Sequence, residues 1–139
     1  MKSPKELLFI ALGGSGEIGM NVNLYCCDGK WLMVDLGMTF ADPHYPGIDL
    51  VFADLEFIED RLDDLIGVVL THAHEDHIGA VPYFAQDLGV PLYATPFTAK
   101  LVHEKLVEAG IEKEVELNVI DHLDRFELGP FGIRYVPLA

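Results

Sequence analysis

Cysteine is nearly missing from this sequence: there are two in 139 residues, and they are neighbours, Cys26 and Cys27. Adjacent residues do not reach the geometry of an ordinary intrachain disulfide, so both thiols are expected to stay free in a reducing compartment. The same shortage argues against a closed, Cys-rich structural zinc site. Basic residues are scarce as well. Nine Lys and Arg face 23 Asp and Glu, a net charge of −14, the opposite of the electrostatic footprint of a free-standing nucleic-acid binder. Long apolar runs are also absent: Leu7 to Leu12 and Gly67 to Leu70 fall far short of the roughly 18 residues that cross a membrane. The lysine-bearing start, Met1 to Glu6, leads into no small-residue cleavage site, so a cytoplasmic location is expected and a secretory leader is not. No internal repeat or low-complexity tract interrupts the chain.

What is present is a core. Half of the residues are apolar, enough at this length for one globular domain. Leu7 to Leu12 reads as a strand running into the glycine-rich turn of residues 13–19, and Asn21 to Cys27 and Lys30 to Asp35 read as a hairpin about Asp28-Gly29. Residues 37–53 carry prolines without a sustained period and read as a surface loop. A helix is predicted from Asp54, with Leu55, Ile58, Leu62 and Leu65 on one face and a solvated acidic face opposite. Gly67 to Thr71 has the composition of a strand covered on both faces. Ala80 to Leu88 suits a short helix, Pro91 to Ala94 a strand, and Thr95-Pro96 opens a helix that ends before Gly110. Val115 to Ile120 reads as a strand, and Arg125 to Leu128 with Ile133 to Pro137 as a hairpin about residues 129–132.

Three of the six histidines, His72, His74 and His77, fall within six residues, with Asp76 among them and a buried strand just upstream. Imidazole and carboxylate donors suit zinc, manganese or iron, and a set without cysteine suits an open catalytic site. A loop at a strand end lets a rigid sheet aim ligands too close in sequence to share one helical face. His72 and His74 are expected to grip one metal while Asp76 and His77 face a second. Two ions so placed would hold a bridging water as hydroxide, which Asp76 could orient. Asp35 ends the strand of residues 30–35 and is expected to brace the histidine loop from behind the ligands. His103 and His122 read as surface or packing residues, and His44 sits in the proline-bearing loop.

Gly14, Gly16 and Gly19 also satisfy G-x-G-x-x-G, with Asp35 downstream like the ribose-binding acid of a dinucleotide fold. That reading needs a helix at the glycines and a crossover of about a dozen residues. Seven residues of alternating polarity before Asp28-Gly29 supply neither. The glycines instead let the backbone pass close to the active site, with Glu17 and Asn21 fixing the loop.

The segment His72-Ala73-His74-Glu75-Asp76-His77 resembles the H-x-H-x-D-H signature of the metallo-β-lactamase superfamily, whose members include thioesterases, lactamases and nucleases. Residues 13–21, Val34-Asp35-Leu36-Gly37, the loop of residues 40–49, residues 70–80 and residues 93–98 together resemble ribonuclease J, a β-CASP nuclease. Met20 stands where that family more often has a basic residue. The resemblance implies an α/β fold, the αββα sandwich with two sheets face to face and helices outside. Residues 1–139 would then be the N-terminal part of the lactamase domain, stopping before the β-CASP insertion and just short of a further ligand histidine. It implies hydrolysis of RNA phosphodiester bonds by a metal-bound hydroxide, 5′-to-3′ exonucleolytic with endonucleolytic cutting. Two divalent ions are implied, zinc first and manganese as the alternative, with RNA as partner of the full-length protein and a homodimer or homotetramer as the assembly. His72, His74, Asp76 and His77 are the implied metal ligands, with Asp76 and His74 assigned to catalysis. A thioesterase-like hydrolase and a non-catalytic half-domain remain the alternatives; for the isolated chain the expectation is weak metal binding without significant RNA cleavage.

Overall fold

The computed structural model describes residues 6–138. Met1 to Lys5, most of the start weighed as a leader, and Ala139 lie outside them. Strands β1 (Leu7–Gly13), β2 (Val22–Cys27) and β3 (Lys30–Val34) form the expected antiparallel meander. Its second turn has Asp28 at φ 54° and Gly29 at φ 77°, the left-handed pair that matches a two-residue turn to the twist of its strands. The glycine-rich segment therefore leads into an antiparallel strand, and the dinucleotide reading fails on topology.

Two expectations fail in the next stretch. The presumed loop contains a small antiparallel ribbon, β4 (Met38–Phe40) with β5 (Leu50–Phe52). Strands of three residues are too short to show a period, and the prolines between them mask the pairing. The predicted helix from Asp54 is a single turn, α1 (Glu56–Glu59), followed by a 3-10 turn at Leu62–Asp64. Leu55, Ile58 and Leu65 are buried as the pattern demanded. Leu65, however, opens β6 (Leu65–Val69), which pairs in parallel with β3. Sheet pairing overrides helical periodicity here, as tertiary contacts routinely do.

Beyond β6 the chain alternates. Helical turn α2 (Glu75–Ile78) and helix α3 (Val81–Leu88) lead to β7 (Leu92–Ala94), and α4 (Pro96–Glu108) leads to β8 (Leu117–Val119). β6, β7 and β8 pair in parallel, completing a mixed six-stranded sheet of order β1-β2-β3-β6-β7-β8. A hairpin, β9 (Arg125–Leu128) and β10 (Phe131–Arg134), follows. It turns on Gly129-Pro130 alone, because Phe131 already pairs with Leu128, so the four-residue turn expected at 129–132 is tighter than anticipated.

Alternation along the central strands separates two faces. Met33, Val68 and Leu92 join Val81, Ala85, Val102 and Leu106 of the helices in one core. On the other face, Tyr93 stacks on Phe126 of the hairpin at 5.2 Å, and a side chain at Gly67 would touch Leu128 and the Tyr93 ring, each at 3.0 Å. Of the second sheet of a sandwich, the described residues contain this hairpin layer. Parallel register sets Val34 beside Val69, and Asp35 N donates to Val69 O at 2.9 Å. The C-terminal ends of β3 and β6 thus emerge together, the place where open α/β sheets hold their ligands.

Candidate metal centre

Asp35 is the hub. It is 3% exposed and held at φ 67°, a left-handed conformation that costs a non-glycine residue and persists only where surroundings fix it. Its Oδ1 accepts the Thr71 amide at 2.7 Å, and the Thr71 hydroxyl lies 2.9 Å from Oδ1 and 2.7 Å from Oδ2. His77 Nδ1 is 2.6 Å from Oδ2. A carboxylate only accepts, so His77 carries its proton on Nδ1 and presents the Nε2 lone pair on the other side. Thr71 has one hydroxyl proton and gives it to Asp35. In its 3.0 Å contact with His72 Nδ1 the imidazole must therefore donate, so His72 also presents Nε2. One buried carboxylate orients two imidazoles, directly and through a hydroxyl.

The rings are neighbours. His72 and His77 have centroids 3.9 Å apart, and His72 and His74 4.8 Å apart. His72 and His74 stand on the exposed segment after β6, whereas Asp76 and His77 lie on α2. The expected single loop is therefore a loop followed by one helical turn. α2 docks through its backbone: Asp76 O accepts Asn21 N and Asn21 Nδ2, both at 2.9 Å, and His77 O accepts Leu36 N at 2.9 Å. Asn21 Nδ2 also lies 3.3 Å from His77 Nε2, and Gly14 N donates to Glu17 Oε1 at 3.1 Å. Glu17 and Asn21, expected to fix the loop, thus bond to Gly14 and to α2 respectively.

Burial, and then the neighbouring His77 charge, lower the His72 pKa, which favours the neutral ring a metal requires. The hydrogen bond to Asp35 raises that of His77. In the metal-free chain a charged His77 consequently stabilises the fold fully below the unfolded value of about 6.5, and this contribution is lost as pH rises through the raised folded value. Asp35→Asn removes the charge, so NMR titration is expected to find the His77 pKa lowered. An unchanged value would assign the shift to another cause.

Among the described residues, no three His, Cys, Asp or Glu side chains stand in a ready-made metal geometry. The donor chemistry nonetheless fits a divalent ion, because the hydrogen bonds to Asp35 and Thr71 engage Nδ1 of His77 and His72, as ligating imidazoles are held, and leave Nε2 as the ligand nitrogen, that of His77 facing Asn21 Nδ2 at 3.3 Å. A cleft of about 600 Å³ opens beside His72, lined by Thr95, Phe97, His122, Arg134 and Tyr135. His122, read from sequence as surface or packing, thus borders the site. His103 is exposed on α4, lining a separate groove with Lys100 and Glu112, and His44 is exposed in its loop. Tyr135 donates its hydroxyl toward Leu70 O at 2.8 Å and Tyr93 O at 2.9 Å, and burial pushes its pKa well up. Thr71, Tyr135 and the packing role of Gly37 escaped sequence reasoning. Only Thr71 carried a usable signal, its position directly before His72.

The metallo-β-lactamase superfamily model matches residues 17–136. Ribonuclease J of Sinorhizobium meliloti is 41% identical over 140 residues, covering 98% of this chain and 25% of the relative. Ribonuclease J of Mycolicibacterium smegmatis is 45% identical over 107 residues, covering 76% of this chain and 19% of the relative. The chain thus spans a quarter or less of these curated relatives. Among solved structures, a B3 metallo-β-lactamase with an active-site glutamic acid aligns with a TM-score of 0.55 at 19% identity, covering 87% of this chain and 46% of that one, a likeness of fold alone. With the histidine turn at the mouth of its mixed sheet and a family match over most of its length, this chain belongs to the metallo-β-lactamase superfamily and within it is similar to ribonuclease J.

Proposed function

We propose that this chain supplies the metal-binding turn of an RNA-hydrolysing enzyme of the ribonuclease J type, acting 5′-to-3′ as an exonuclease with endonucleolytic cutting. The observation that carries the reading is the pair of imidazoles, His72 and His77, oriented by the Asp35 carboxylate in a chain 41% identical to a ribonuclease J. His72 and His74 would hold one divalent ion, and Asp76 and His77 the second. When bound, the ions supply Lewis acidity and make a water acidic enough to attack phosphorus at neutral pH. Asp35 keeps the His77 ring in the tautomer with Nε2 unprotonated, the nitrogen that Asn21 Nδ2 approaches at 3.3 Å, and Thr71 does the same for His72. His74 and Asp76 touch the reacting groups, with Asp76 aligning the attacking water. Zinc is the first choice of metal, manganese the second.

RNA is the proposed partner, and a homodimer or homotetramer in the cytoplasm the proposed setting. No helix among the described residues is long and apolar enough to cross a membrane. The charge of −14 fits RNA contacts made by other parts of a protein of the relatives' length. The 139-residue chain alone is proposed to bind metal weakly and to cleave no RNA at a significant rate. The test is a metal-loaded protein of the relatives' length carrying this chain, assayed on 5′-monophosphorylated RNA and on thioester and lactam substrates. RNA shortened from its 5′ end supports the proposal; turnover of the small molecules with RNA left intact contradicts it.

A further inference from the structure

Glu75 lies between two proposed ligands, His74 and Asp76, yet its side chain turns away from them. Its Oε1 accepts a hydrogen bond from Lys105 Nζ of α4, thirty residues further along the chain. Its Oε2 is buried without a hydrogen-bond partner, against Gly79, where an added Cβ would stand 2.8 Å from that oxygen and 2.5 Å from Met38 Cγ. A carboxylate beside His74 is by chemistry a competing metal ligand, and a half-desolvated one keeps its place only if a cation compensates it. Lys105 is that cation, and its side chain is itself only 24% exposed.

From this geometry we propose that Lys105 is a positioning residue for the metal centre: by holding Glu75 on the far side of α2, it keeps that carboxylate out of the ligand set and fixes the turn that carries His74, Asp76 and His77. The inference rests on the proposed metal role of these residues. It makes α4, which contributes no ligand of its own, a determinant of metal affinity. The contact joins elements whose backbones share no ladder, so the ion pair acts as a discrete tether between α4 and α2. Restoring a cation at position 105, or exchanging the two charges, restores the tether.

The test compares zinc affinity by calorimetry with thermal unfolding of the metal-free chain for Lys105→Met, Lys105→Arg and the exchange Glu75→Lys with Lys105→Glu. Loss of a group that orients ligands is expected to weaken zinc binding about tenfold in Lys105→Met, with the Arg variant within about threefold of the parent and the exchanged pair tighter than Lys105→Met. A merely structural residue would lower the unfolding temperature without this pattern. Parent-like zinc affinity in Lys105→Met, or a loss that Arg fails to recover, overturns the inference while leaving the metal centre in place. A parent chain that binds no zinc overturns the proposed function and this inference together.

Discussion

Alanine at Gly37 is expected to destabilise the chain by about 3 kcal/mol or more, read as a lowered midpoint in urea unfolding. A Cβ at this position would stand 1.7 Å from Asp76 O and 2.9 Å from Asn21 N. Both obstacles are backbone, so no side-chain rotation relieves the clash. The carbonyl in the way is the one that accepts Asn21 N and Nδ2, and Gly37 N donates to Asn21 O at 3.0 Å. Displacing α2 would therefore break the hydrogen bonds that dock it while moving Asp76 and His77 away from Asp35. Domains of this kind hold only about 5–15 kcal/mol in reserve, so a large part of the total is at stake. A midpoint within error of the parent would mean that α2 does not sit against this glycine.

His74→Ala is expected to have the opposite profile, with stability nearly unchanged and chemistry lost. His74 is exposed, and it caps α2 through its backbone: His74 O accepts His77 N and Ile78 N, both at 2.9 Å, contacts alanine preserves. Exposed substitutions of this type shift stability by about 0.5 kcal/mol or less. In a protein of the relatives' length, RNA hydrolysis is expected to fall by about 10³-fold or more, equivalent to ~4 kcal/mol of transition-state stabilisation, because the proposed ligand pair with His72 would be broken. Single-turnover cleavage of labelled RNA checks this. Retained turnover would remove His74 from the centre.

The contrast between the two positions explains what could be read from sequence. The proposed ligands His72, His74, Asp76 and His77 can be picked out because metal ligation demands particular donors within a few residues, and Asp35, singled out at a strand end, lies against Thr71 and His77 in the fold. Thr95-Pro96 and Gly110 correctly bracket α4, since helix ends are governed by local backbone chemistry. Gly37 gave no such sign: its constraint is the arrival of Asp76 O from 39 positions away. Nothing in the sequence joins Lys105 to Glu75; their contact arises only where α4 approaches α2 in the fold. The ribbon of β4 and β5 was lost for a related reason, as its pairing is between two three-residue segments with no periodicity of their own. Leu65 shows a helical pattern being satisfied by a strand, because burial alone does not distinguish the two.

Everything proposed for this chain depends on His72, His74, Asp76 and His77 together holding a pair of metal ions. Titrating zinc into the uniformly ¹⁵N-labelled chain while following imidazole nitrogens tests it directly. Signals of His72, His74 and His77 are expected to move together and saturate, with His72 and His77 coordinating through Nε2, while His44 and His103 stay in place. Shifts confined to His44 or His103, or three cluster histidines indifferent to zinc at saturating concentration, would contradict it.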